Sequence, residues 1–181
     1  MTRRTTRNDS DLRRVLAETF AVNERMNQFL IRHLDDQLWE AKPPGKRGRT
    51  IAAIFAHIHN IRRKWIRLSA PQLSLPAPLG PSRCTKNQAR AALAASSRRC
   101  LEMIEHLLKS PSERKFLRDG WAKPWPPGAA MVTYMISHEA HHRGQIMMLA
   151  HQLGSPLSRA IGGQIWNWEK LWKECGFSCP R

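Results

Sequence analysis

The sequence predicts an all-α protein, a four-helix bundle with a short additional helix near its C-terminal end. Two observations carry that reading. Four long stretches repeat apolar residues at three-and-four spacing between capping and helix-ending residues. No segment shows the sustained two-residue alternation of a half-buried strand.

The first helix is expected to start at Ser10 or Asp9, either of which can cap it, and to run to about Leu34. Its stripe holds Leu12, Val15, Leu16, Phe20, Val22, Met26, Phe29 and Leu30. The stretch AKPPGKRG, residues 41–48, has the prolines and glycines of a loop. Thr50 then caps a second helix that ends near Ser69, with Ile51, Ile54, Phe55, Ile58, Ile61 and Trp65 on one side. The proline-rich residues 70–83 follow, and such a length between helices predicts a crossover or a lid rather than a tight hairpin. Thr85 and Gln88 form a capping box for a third helix that reaches Lys109. Residues 110–127, rich in proline, glycine and tryptophan, make another long connection. The fourth helix begins after Gly128 and is closed by Gly154, with Pro156 just beyond. A shorter helix is expected over 164–175, where Trp166, Trp168 and Trp172 are read as packing against the bundle. The chain thus divides into a frayed basic tail at 1–9, one helical domain at 10–176 and a short tail at 177–181.

A chain of 181 residues is long enough to bury a core without a metal or disulfide to staple it. No apolar run approaches the roughly 20 residues of a membrane helix. Polar residues stand where a signal peptide would carry its apolar stretch, so the expected location is the cytoplasm. The four cysteines (Cys84, Cys100, Cys175, Cys179) form no C-x-x-C pair and read as reduced thiols, with Cys175 and Cys179 close enough in sequence to pair. The net charge of +16 raises nucleic acid or an anionic surface as a partner. Its 30 lysines and arginines run through every segment without an aromatic-interleaved stripe, which favours a solvated basic surface.

The stretch HEAHHRGQIM, residues 138–147, contains His138, Glu139 and His142 in the H-E-x-x-H pattern of zinc metalloproteases. The apolar stripe of the fourth helix runs through Met131, Met135, His138, His142, Ile146 (or Gln145) and Leu149, so both histidines face the core. A spacing of four advances the helix by about 6 Å and turns it by about 40°, which lets two imidazoles converge on one ion. Burying two unpaired imidazoles side by side is costly, whereas a cation satisfies one nitrogen of each. His141 falls on a flank. A third ligand must come from another helix, and the second helix offers His57 and His59, both near the edges of its stripe. Periodicity does not choose between them. Three neutral nitrogens with open positions would make a catalytic rather than a closed site. A zincin would instead need a downstream ligand, where Glu169 and Glu174 are the acidic candidates, and a strand to hold its peptide.

Three stretches together resemble the DinB/YfiT-like family of metal-binding four-helix bundles. TIAAIFAHIHNIRRKWI is similar to the family's second-helix motif and maps a ligand onto His57. HEAHHRGQIMMLAHQLG resembles its H-x-x-x-H-R-G-Q motif and maps two more onto His138 and His142. GGQIWNWEKL resembles the C-terminal tryptophan segment of one subgroup. The resemblance implies an up-down-down-up bundle, often a homodimer, holding a divalent metal such as zinc or nickel. It also implies a thiol S-transferase or hydrolase type of enzyme acting on a small-molecule substrate, with a low-molecular-weight thiol as a co-substrate. On that reading Glu139, Arg143, Gln145 and Asn60 are the candidates for orienting the ligands or an anionic substrate. The competing expectations are a non-catalytic metal-stabilised or nucleic-acid-associated basic protein and, behind it, an H-E-x-x-H protease.

Overall fold

The computed structural model describes residues 3–109, 116–117, 124–125 and 129–177. Four long helices form the bundle: α1 (Arg3–His33), α2 (Ile51–Ser69), α3 (Lys86–Lys109) and α4 (Ala129–Gln152). Contacts between them fix their directions. Arg62 reaches Glu24 and Ala52 bonds Trp39, so α2 runs against α1. Gln28 bonds Arg90 and Lys86 bonds Leu34, so α3 also runs against α1. Ser69 meets Met131 and Arg62 meets Glu139, so α4 runs against α2. The bundle is up-down-down-up, with α2 and α3 parallel.

Caps act where the sequence places them on α2 and α3. Thr50 Oγ1 accepts from the Ala53 amide at 3.2 Å. In the capping box, the Thr85 amide donates to Gln88 Oε1 at 2.9 Å and the Gln88 amide donates to Thr85 Oγ1 at 3.2 Å. Gly154 ends α4 at φ +82°, a left-handed conformation that a side chain disfavours.

The expectation fails at both ends of the chain. The α1 helix begins at Arg3, before the expected cap at Ser10 or Asp9 and inside the expected tail; no proline or glycine interrupts RRTTRND, and a capping residue does not by itself start a helix. Leu12, assigned to the apolar stripe, is 57% exposed. At the other end the single short helix is two, α5 (Arg159–Gln164) and α6 (Trp168–Glu174). Ser158 caps the first and Asn167 caps the second, each through a side-chain oxygen. Of the three tryptophans expected to pack against the bundle, Trp172 does so, beside Leu171, whereas Trp166 is 68% and Trp168 40% exposed.

The all-α expectation holds, with one small addition: β1 (Phe116–Leu117) and β2 (Pro124–Trp125) pair antiparallel within the connection to α4. Two residues are too few to show alternation. The rest of that connection lies outside the described residues, as does Cys179. Cys84, Cys100 and Cys175 are free thiols. Burial pushes the Cys100 thiol well above its ordinary range, which leaves it inert as a nucleophile. No helix of the described residues is long and apolar enough to cross a membrane.

Parallel α2 and α3 require the chain between them to travel back along the bundle, and residues 70–85 do so as a strap laid over α2. Arg63 Nε donates to Pro76 O at 2.7 Å and the His59 ring meets Ala77 O at 2.8 Å. Asn60 clamps Leu79 from both sides, its Nδ2 donating to the carbonyl at 2.8 Å and its Oδ1 accepting from the amide at 3.2 Å. An Asn60→Ala substitution is expected to cost about 1–3 kcal/mol, because both Leu79 groups lose their partner. It should also speed limited proteolysis within residues 70–83; a cleavage rate equal to that of the wild type would show that the clamp does not hold the strap.

The apolar core comes in two clusters. One gathers around Leu30, Ile51, Phe55, Leu93 and Ile146, and the other around Phe20, Trp65, Ile66, Met103 and Met135. Between them, on all four helices, the buried residues turn polar: Asn23, Glu24 and Asn27 on α1, Arg62 on α2, Ser96 and Ser97 on α3, Glu139 and Arg143 on α4.

Candidate metal centre

His57 on α2 and His138 and His142 on α4 bring one ligand nitrogen each to within 4.8 Å of one another. The antiparallel crossing of α2 and α4 places them together, and the four-residue spacing on α4 stacks the latter two. His142 Nε2 and His138 Nε2 are 3.1 Å apart. Two nitrogens held tetrahedrally at about 2.05 Å from one ion would lie about 3.3 Å apart, so the pair already has the spacing of two ligands on one ion. The His57 ring centroid is 4.8 Å from that of His142 and 5.3 Å from that of His138, which closes a triangle.

Gln145 sets the tautomer of His142. Its Oε1 lies 2.7 Å from Nδ1, so that nitrogen carries the proton and Nε2 turns its lone pair toward the other histidines. Burial lowers the His142 pKa below the ordinary imidazole value, with the Gln145 contact opposing, and the ring stays neutral as a ligand must be. Three neutral imidazoles suit zinc, nickel, copper or iron, so the residues present fit a divalent ion. A Gln145→Leu variant is expected to bind zinc about 10–100-fold more weakly, as when a ligand's orienting partner is removed. Competition with a chromophoric chelator measures it, and an unchanged constant would show that Gln145 does not orient His142.

The other candidates stand elsewhere. His59, the alternative third ligand, is fully buried and bound to the strap, and burial lowers its pKa. Asn60 is the clamp on Leu79 rather than a group at the histidines. His141 is exposed on the flank, its ring centroid 5.1 Å from that of His142.

Glu139 is not placed to act as the base of an H-E-x-x-H site. It is 1% exposed, and its carboxylate accepts four hydrogen bonds: two from Arg62 (Nε and Nη2, both 2.7 Å), one from Asn23 at 2.6 Å and one from Asn27 at 2.7 Å. Those four donors use the lone pairs a base would need. Burial alone would raise the Glu139 pKa, but the Arg62 charge and hydrogen bonds, with Arg143 nearby, hold it below the usual carboxylate range. Arg143 donates through Nη1 to Asn23 Oδ1 at 2.7 Å and Asn27 Oδ1 at 3.0 Å, and so orients the amides that hold Glu139 rather than a substrate.

Arg62 is the centre of this buried network. Besides Glu139 it donates through Nη1 to Glu24 at 2.7 Å and to Leu93 O at 3.1 Å, so one guanidinium from α2 touches α1, α3 and α4. Burial opposes its charge, but the two carboxylates outweigh that and keep it protonated. The sequence reading missed this network, although a signal was present. Arg62 sits on the apolar stripe between Ile58 and Trp65, and Asn23 and Asn27 repeat at i and i+4 beside Val22 and Met26.

This fold and this histidine set define a class of protein: four-helix bundles able to hold a metal ion between α2 and α4. The chain matches the DinB family over residues 1–160, and it belongs to that family. No curated protein and no solved structure matches the chain.

Proposed function

We propose that the protein is a divalent-metal-dependent enzyme of the S-transferase or hydrolase type, with zinc or nickel held by His57, His138 and His142. The observation that supports this most directly is the convergence of three histidine nitrogens, with neither carboxylate nor thiol in the set, within 4.8 Å. Three protein ligands leave coordination positions open, which is the arrangement of catalytic rather than structural sites. A divalent ion there would supply the acidity that makes water or a low-molecular-weight thiol nucleophilic near neutral pH. Gln145 holds the His142 ring in place, and the buried Arg62–Glu139 pair holds α4 against α2. The substrate on this reading is a small molecule, and the working form is a cytoplasmic homodimer.

The test is a screen of the zinc-loaded and the nickel-loaded protein. It covers ester and amide hydrolysis and transfer of a small thiol to an electrophilic acceptor. Turnover that disappears with chelator and with His138→Ala is the expected result. Absence of turnover in both loaded forms would overturn the enzymatic reading.

A further inference from the structure

Next to His141 and Gln145 lies a cleft of about 860 Å³, between the loop before α2 and the outer side of α4; none of His57, His138 and His142 lines it. That is within the range of small-molecule sites. Its inner wall carries Gln145, the residue that holds His142, and His141. Its apolar surface is made by Ile54, Leu149 and Met148, the last 59% exposed despite its size. Arg47 and Arg49, both exposed, stand on the loop side, and no carboxylate is among the residues that line it.

Gly144 adds a second, independent observation. It lies within α4, where glycine costs about 1 kcal/mol relative to alanine. A Cβ built on it meets nothing within 4 Å, so no packing contact requires glycine there. A side chain at 144 would enter the cleft.

We propose that this cleft binds a small molecule with an apolar body and one anionic group. The apolar body lies over Gly144 and Met148, and the anionic group meets Arg47 and Arg49. This goes beyond the enzymatic reading and does not rest on it, because the cleft meets the histidine centre through Gln145, on the Nδ1 side of His142 and away from the ligand nitrogens. Direct charge-assisted bonds from arginine suit a carboxylate or a phosphate equally.

The test titrates hexanoate and hexyl phosphate, with hexan-1-ol and hexylamine as uncharged and cationic counterparts, into metal-free and zinc-loaded protein. Calorimetry reads binding and plasma mass spectrometry reads metal content. Either anion, or both, should bind with saturation, and more tightly than the alcohol or the amine. Affinity should fall about tenfold or more in Arg47→Glu/Arg49→Glu and comparably in Gly144→Leu, with zinc content unchanged. A charge-matched control, Arg98→Glu/Arg159→Glu, removes the same charge from exposed sites outside the cleft and should leave affinity within about twofold.

If the anions bind only the zinc-loaded protein and ignore both cleft variants, they ligate the ion and the cleft proposal is overturned while the metal reading stands. If the control weakens binding as much as the cleft variants do, attraction is to the whole basic surface and the proposal is overturned. Failure of every form to bind overturns it as well. A protein that takes up no zinc yet binds the anions in a manner sensitive to Arg47, Arg49 and Gly144 would sink the enzymatic reading and keep the cleft.

Discussion

Glu139→Ala is expected to lower the unfolding free energy by about 3–5 kcal/mol, a large share of what a domain of this size possesses. The loss comes from what is left behind. Arg62 is 1% exposed, and without Glu139 two of its donors face the interior with no acceptor, while Asn23 and Asn27 lose the carboxylate they share. Urea denaturation should show the midpoint falling with little change in slope. Arg62→Met should cost a similar amount, since it strands Glu24 and Glu139 together. The double variant Arg62→Met/Glu139→Leu should cost clearly less than the two single changes added, because neither charge is then left alone. Strict additivity would show that the pair is not coupled and that the buried network is held by something else.

The second large effect concerns the metal. Protein purified without a histidine tag is expected to carry about one divalent ion per chain, as in other three-histidine sites with open positions. His57→Ala, His138→Ala and His142→Ala should each abolish that content. His59→Ala should retain it, because the His59 ring is committed to Ala77 on the strap. Bound metal stabilises only the folded state that assembles the site, so chelation should lower the melting temperature of the wild type and leave that of His142→Ala where it is. Metal retained in His57→Ala and lost in His59→Ala would reverse the assignment of the third ligand.

The contrast between those two histidines marks the limit of what could be read from the chain. Periodicity places both at the edges of one stripe and stops there, since two residues turn a helix by about 200°. What separates them is the path of residues 76–79 over α2, a tertiary fact that no local pattern encodes. Thr50, the Thr85–Gln88 box and Gly154 were legible because a cap acts within one turn of the residue that makes it. The pairing of His138 with His142 was legible for the same reason. Glu139 was misplaced because its partners are distant: Arg62 is 77 residues away, Asn23 is 116 and Asn27 is 112. A polar residue in the core declares itself through partners that the fold alone brings near. Arg62 on an otherwise apolar stripe, and Asn23 and Asn27 one turn apart, were the visible signs that such partners existed.

The buried charges divide in a way that bears on how the protein opens. Arg62 and Glu24 belong to α2 and α1, whereas Glu139 and Arg143 lie four residues apart on α4. Lifting α4 away therefore breaks the Arg62–Glu139 ion pair but leaves one positive and one negative member of the network on each side, so the opening separates no net charge between the two halves of the network. Backbone amides of α4 should accordingly exchange with solvent through a partial opening that α1, α2 and α3 do not share. An ion gripped by His57 on one side and by His138 and His142 on the other would latch that opening shut, so the occupancy of the centre would set how long the fourth helix stays docked.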